Sequence, residues 1–210
     1  RVADRAKWAK ELGQGLSCIN AMTSLCRGES PRRGAFHRPL QSVKGVDEIV
    51  GVFESARFAV QSAFGLNLMA SPLGFRFGLG FGSVDVGLTS ERVSDLDGQA
   101  FHFAADALQR ARNERLSLAM RLPGVPDAQI AMAESLFTFV DQSIQRWKPA
   151  SRRIVTRWFN RSDHQTQADI ARDLGVTQQA VSDAIQRTKA AEMVRALRAI
   201  GEWSDDIQEH

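Results

Sequence analysis

The chain has 210 residues, 43% of them hydrophobic, 24% charged and 8% aromatic, with a formal net charge of +3. Those proportions exclude a disordered polyelectrolyte, a collagen-like repeat and a disulfide-stapled miniature, and no apolar run reaches the roughly 18–20 residues of a membrane-spanning helix. The charge is uneven: residues 1–147 balance to +2, 148–200 to +5 and 201–210 to −4.

In chain order, the charged opening RVADRAKWAKEL is no signal peptide and reads as a helix entered midway, continuing to about residue 26 with Trp8, Leu12 and Leu16 at helical spacing. Cys18 and Cys26 form no CxxC or Cys/His pattern, so they read as packing thiols in a reduced, cytoplasmic setting. SPRRGA at 30–35 is a loop. FHRPLQSV and EIVGVF read as two strands of a hairpin turning around Lys44, Gly45, Val46 and Asp47. A helix follows from Ser55 to about Leu66. GFRFGLGFGSVDVG then alternates Phe75, Phe77, Leu79 and Phe81 with Arg76, Gly78, Gly80 and Gly82. That is a strand whose second face is nearly bare, open to close approach by a backbone or a ligand. Gln99–Arg112 reads as a helix with Phe101, Ala104, Ala105 and Leu108 inward, and LSLAMRL at 116–122 as a strand. Pro126 stands near the start of a strongly amphipathic helix through Trp147, which reads as core or as a dimer surface. Pro149 separates that helix from the basic C-terminal third.

Helix, strand, strand, helix, strand, helix, strand opens as a βαββαβ layer once a strand is placed ahead of Arg1, with one further helix and strand after it. The expected class is therefore α+β: a ferredoxin-like, palm-type sheet domain over 1–125, lacking its first strand. A connecting helix at 126–149, an all-α helix-turn-helix at 150–200 and an acidic tail at 201–210 follow.

The helix-turn-helix expectation rests on TQADIARDLGVTQQAVSDAIQRTK at 166–189. Ile170, Ala171 and Leu174 share one face of a first helix, and Gly175 ends it where a left-handed backbone is needed. Val176 plugs the corner, Thr177 is an N-cap, and Val181, Ala184 and Ile185 face back onto the first helix. The motif resembles that of bacterial and phage regulators at Gln167, Ala171, Leu174, Gly175, Val176, Gln179, Val181 and Ile185. In such modules the second helix enters the major groove. The candidate DNA-binding residues are accordingly Thr177, Gln178, Gln179, Ser182, Gln186, Arg187 and Lys189, with Arg152, Arg153, Arg157 and Arg161 on phosphates. Trp158 and Phe159 read as core.

The whole chain is similar to the SatD family, in which a small palm-like domain precedes a helix-turn-helix. GVDEIVGVF at 45–53 resembles that family's hairpin, RFGLGFGSV at 76–84 its Gly-rich strand and DGQAFHFAADAL at 97–108 the helix that follows. The same patches resemble palm-type nucleotidyl cyclases, where two carboxylates hold divalent metals against the nucleotide phosphates. That resemblance implies Asp47 as one metal carboxylate. Val46 stands where diguanylate cyclases have a second Gly, and His102 and Asp106 where class III cyclases carry Asn and Arg, departures that count against catalysis.

The reading is a cytoplasmic, DNA-binding transcriptional regulator whose palm-like half senses or oligomerises. The alternatives are a nucleotidyl cyclase or transferase with an appended DNA-binding module, and a protein-interaction module. Expected partners are duplex DNA, a nucleotide ligand and a second copy of the chain, with no membrane. No cofactor is expected, the alternative being a divalent metal, with Asp47 as a ligand, or a nucleotide. Asp95 and Asp97 read as caps of a loop, and His37, His102, His164 and His210 have no metal-site spacing.

Overall fold

A computed structural model of the chain describes residues 38–43, 48–70, 74–161 and 164–208, with helical residues 13, 16, 17, 19 and 20 ahead of them. The hairpin turn at 44–47, with Asp47, and both cysteines lie outside the described residues. The class is α+β.

Strands β1 (Arg38–Ser42) and β2 (Ile49–Val52) pair antiparallel, Gln41 opposite Val50 and Ser42 opposite Ile49. Helix α1 (Ala56–Ala70) leads to β3 (Phe77–Gly80), and α2 (Gln99–Glu114) crosses over to β4 (Leu118–Arg121), which lies parallel to β3. A parallel pair needs such a crossover because its strands run the same way. Among the described residues the strands form two separate pairs rather than one sheet. Both pairs nevertheless share a hydrophobic cluster in which Leu40, Ile49 and Phe77 meet Ile19 and Leu66.

The strand expected from 74 onward is short because the chain turns away after Gly80. Asp85 and Val86 donate their N–H groups to Asp97 O, and Gly87 takes a left-handed φ of 74°. The bare face of β3 is answered by a backbone. A Cβ on Gly78 would overlap Ala104 O and Leu108 N, and one on Gly80 would overlap Ala100 O and Ala104 N. That contact reorders the inward face of α2: Ala107 and Ala111 are buried, Ala104 and Leu108 half-buried, and Ala105, expected inside, is exposed.

Helix α3 (Asp127–Gln145) lays Ile130, Phe137, Val140 and Ile144 on the core. It also buries two carboxylates. Glu134, 2% exposed, pairs with Arg110 and accepts from Met120 N at 2.7 Å. Asp141 accepts from Asn67 Nδ2 at 2.8 Å and the Ser117 hydroxyl at 2.6 Å. A buried carboxylate is tolerated only when its oxygens are so occupied. Glu134 in turn raises the pKa of Arg110 by hydrogen bonding.

Four helices complete the chain: α4 (Pro149–Phe159), α5 (Gln167–Leu174), α6 (Gln178–Thr188) and α7 (Ala190–Gln208). One core joins Val60 and Phe64 of α1, Met120 of β4, Phe137 of α3, Val155 of α4, Ile170 of α5, Val181 of α6 and Leu197 of α7. It runs straight across the boundary expected at residue 149. The acidic segment is no separate tail over its described length: residues 201–208 continue α7 and pack on α1. Gly201 lets the two backbones touch, since a Cβ there would overlap Arg57 Cα. Asp205 accepts from Ala56 N at 2.6 Å and Arg57 N at 3.3 Å, capping α1 from the far end of the chain.

Candidate nucleic-acid interface

The α5–α6 corner is built by local bonding. Thr166 and Asp169 form a reciprocal capping box at the start of α5, with Thr166 Oγ1 accepting from Asp169 N at 3.2 Å and Thr166 N donating to Asp169 Oδ2 at 2.9 Å. The Thr166 backbone and hydroxyl bonds, then Arg172, hold the Asp169 carboxyl below its ordinary value. Gly175 ends α5 at φ 66°, and Val176 N donates to Ala171 O at 3.0 Å. Val176 itself is 37% exposed, so it does not plug the corner. The turn is closed by backbone bonds, and the packing between the helices comes from Ile170, Ala171, Val181, Ala184 and Ile185, all buried. Thr177 caps α6, its hydroxyl accepting from Ala180 N at 3.1 Å.

With Val181, Ala184, Ile185 and Thr188 turned inward, α6 shows Gln178, Gln179, Asp183, Gln186 and Arg187 to solvent, with Lys189 beyond its end and Ser182 half-buried between. Asp183, Gln186, Arg187 and Lys189 line an open hollow of about 450 Å³. Gln179 Nε2 donates to Asp183 Oδ1 at 2.7 Å, one turn along the helix, which orients the Gln179 amide. Arg187 and Lys189 have no ion-pair partner among the described residues.

The arginines of the supporting helix are differently placed from expectation. Arg153 donates to Leu174 O, the last carbonyl of α5. Arg157 pairs with Asp173 and donates to Gln165 Oε1 at 3.0 Å. Arg152 donates to Trp147 O, and Arg161 donates to Trp158 O and lies over the Trp158 ring at 4.5 Å. These side chains brace the module, and Arg187 and Lys189 stand outward at the C-terminal end of α6. Trp158 and Phe159 pack on the core as expected, Phe159 edge-on to Phe64 at 4.9 Å. The capping box, the Gln179–Asp183 bond and the Arg153 contact escaped the sequence reading. Thr166 three residues before Asp169, and Gln179 four before Asp183, are signals that carry the first two.

The N-terminal half carries His102, Asp106, Asp95 and Asp97 among its described residues. No group of three or more His, Cys, Asp or Glu side chains converges there. His102 and Asp106 are exposed on α2. Asp97 Oδ1 accepts from Gly98 N at 2.8 Å and lies 3.6 Å from His102 Nε2. Asp95 accepts from the Ser90 and Ser94 hydroxyls, which hold its carboxyl below the ordinary value. Both aspartates therefore pin their own loop. No described helix is long and apolar enough to cross a membrane.

Comparisons of the chain with protein-family models, curated proteins and solved structures return no match.

Proposed function

We propose that the chain is a duplex-DNA-binding protein of the transcriptional-regulator kind, reading base edges through the N-terminal half of α6 and gripping phosphates through its C-terminal end. The division of the outward face of α6 carries this reading. Uncharged amides, Gln178 and Gln179, stand at one end, and the cations Arg187 and Lys189 at the other, without an ion-pair partner among the described residues. A glutamine amide matches adenine in the major groove, whereas a cation at the helix end meets the backbone.

Titration of labelled duplexes at several salt concentrations tests it. Gln179→Ala costs about 1–3 kcal/mol on a selected site and little on random DNA. Arg187→Ala weakens all sequences alike and flattens the salt slope by about one unit. Absence of duplex binding by the parent at low salt overturns the assignment.

The N-terminal half fits a ferredoxin-like, palm-type layer of the SatD kind, supported by the hydrophobic cluster common to the two strand pairs. Its role in this reading is sensing or assembly, in a cytoplasmic protein. A structural rather than nucleotide-binding use of the Gly-rich strand is favoured because α2 occupies the bare face.

A further inference from the structure

Helix α3 buries its charges and exposes large apolar side chains. Its only charged residues between Asp127 and Arg146, Glu134 and Asp141, are both buried and hydrogen-bonded. Its outward face carries Met132, 74% exposed, Leu136, 38%, and Phe139, 65%, at the three- and four-residue spacing of a single stripe. A helix that meets only water shows the reverse arrangement. Small residues flank the stripe, with Ala128, Ala131 and Ser135 all exposed. The inner face is already committed to β4, α1 and α7.

We propose that this face is the seam between two copies of the chain, with the α3 helices packed antiparallel across a two-fold axis passing between Ser135 and Leu136. The charge pattern selects that occupant. Nucleic acid and charged partners need ionic groups that the face lacks, and helices that lie on membranes flank their apolar stripe with lysine and arginine. A two-fold axis brings a patch against itself, so a charge close to the axis meets its own sign, and a charge-free patch meets itself without that penalty. The spacing fits the same axis. Met132 and Phe139 lie equally far from its centre, about 10 Å apart along the helix, so each Met132 meets Phe139 of the second copy and a sulfur–aromatic contact forms twice. Alanine and serine beside the stripe allow the helices to close. The proposal is independent of DNA binding and is read without DNA.

Sedimentation velocity of the full chain over about 1–200 µM, a span suited to a compact interface, gives the test. The parent moves from monomer to dimer as concentration rises. Met132→Lys and Phe139→Glu each raise the dissociation constant at least tenfold while leaving the thermal midpoint unchanged at about 1 µM, where parent and variants are all monomeric, because neither side chain packs in the monomer core. Combining Met132→Lys with Phe139→Glu in one chain restores the dimer, since the antiparallel seam sets the introduced ammonium of each copy against the introduced carboxylate of the other, at both ends. A parent that stays monomeric across the range, a dimer indifferent to Phe139→Glu, or a double variant as dissociated as the single ones overturns the proposal.

Discussion

At Gly78 and Gly80 the hydrogen in place of a side chain is what lets a helix backbone rest on a strand. The collision facing an added methyl is with main-chain atoms, which cannot swing aside as a flexible side chain can. Overpacking of that kind reaches about 3 kcal/mol or more, so Gly80→Ala should lower the urea midpoint by a matching amount, and a change below about 0.5 kcal/mol would show that α2 can lift freely. Asp169 offers a second test, this one of pH. Its carboxyl is held below its ordinary value of 3.8 in the folded chain, chiefly by the Thr166 backbone and then by its hydroxyl. A depressed acid stabilises the fold at pH above its unfolded value and ceases to do so as pH falls through the folded one. The parent should therefore be more stable than Asp169→Ala at neutral pH, with the two thermal midpoints converging once the pH has dropped below the folded value.

Among the elements, α7 is held most unexpectedly. It places Asp205 over the first turn of α1, a capping contact worth about 1 kcal/mol elsewhere, so Asp205→Ala should cost about that much in chemical denaturation. Its neighbour α5–α6 was legible from residues alone because everything that shapes it is local: Gly175 for the left-handed turn, Thr177 for the cap, apolar residues at helical spacing. The hairpin and the amphipathic α3 were legible for the same reason. Residues 201–208 were not, since four acids in ten residues look like a solvated tail and the N–H groups that Asp205 caps lie 149 and 148 residues away. The glycine alternation of β3 announced a close approach but could not say that α2 makes it. The four arginines announced positive charge, but whether Arg157 faces a phosphate or Asp173 depends on a tertiary contact.

For the molecule as a whole, the core shared by α1, β4 and the helices α3 to α7 implies a single transition for those elements. Trp147, Trp158 and Trp203 all pack against it, so tryptophan fluorescence and far-ultraviolet circular dichroism should report coincident urea curves with one midpoint. Two separated midpoints would mean that the helix-turn-helix folds apart from the rest. Removing residues 190–210 should abolish the transition, because Leu197 and Ile200 leave the core and α1 loses both its packing partner and its cap.

Lys189, at φ 55°, is the one residue between α6 and α7, and α7 is fastened along α1. That junction leaves no linker by which the α5–α6 corner could be detached. Grafting 150–189 onto another scaffold would carry off a corner without the walls it leans on, whereas exchanging Gln178, Gln179 and Ser182 alone leaves those walls standing. If the proposed DNA reading holds, a new specificity is to be sought by rewriting a few residues on the outer side of α6, with the chain inherited as one piece.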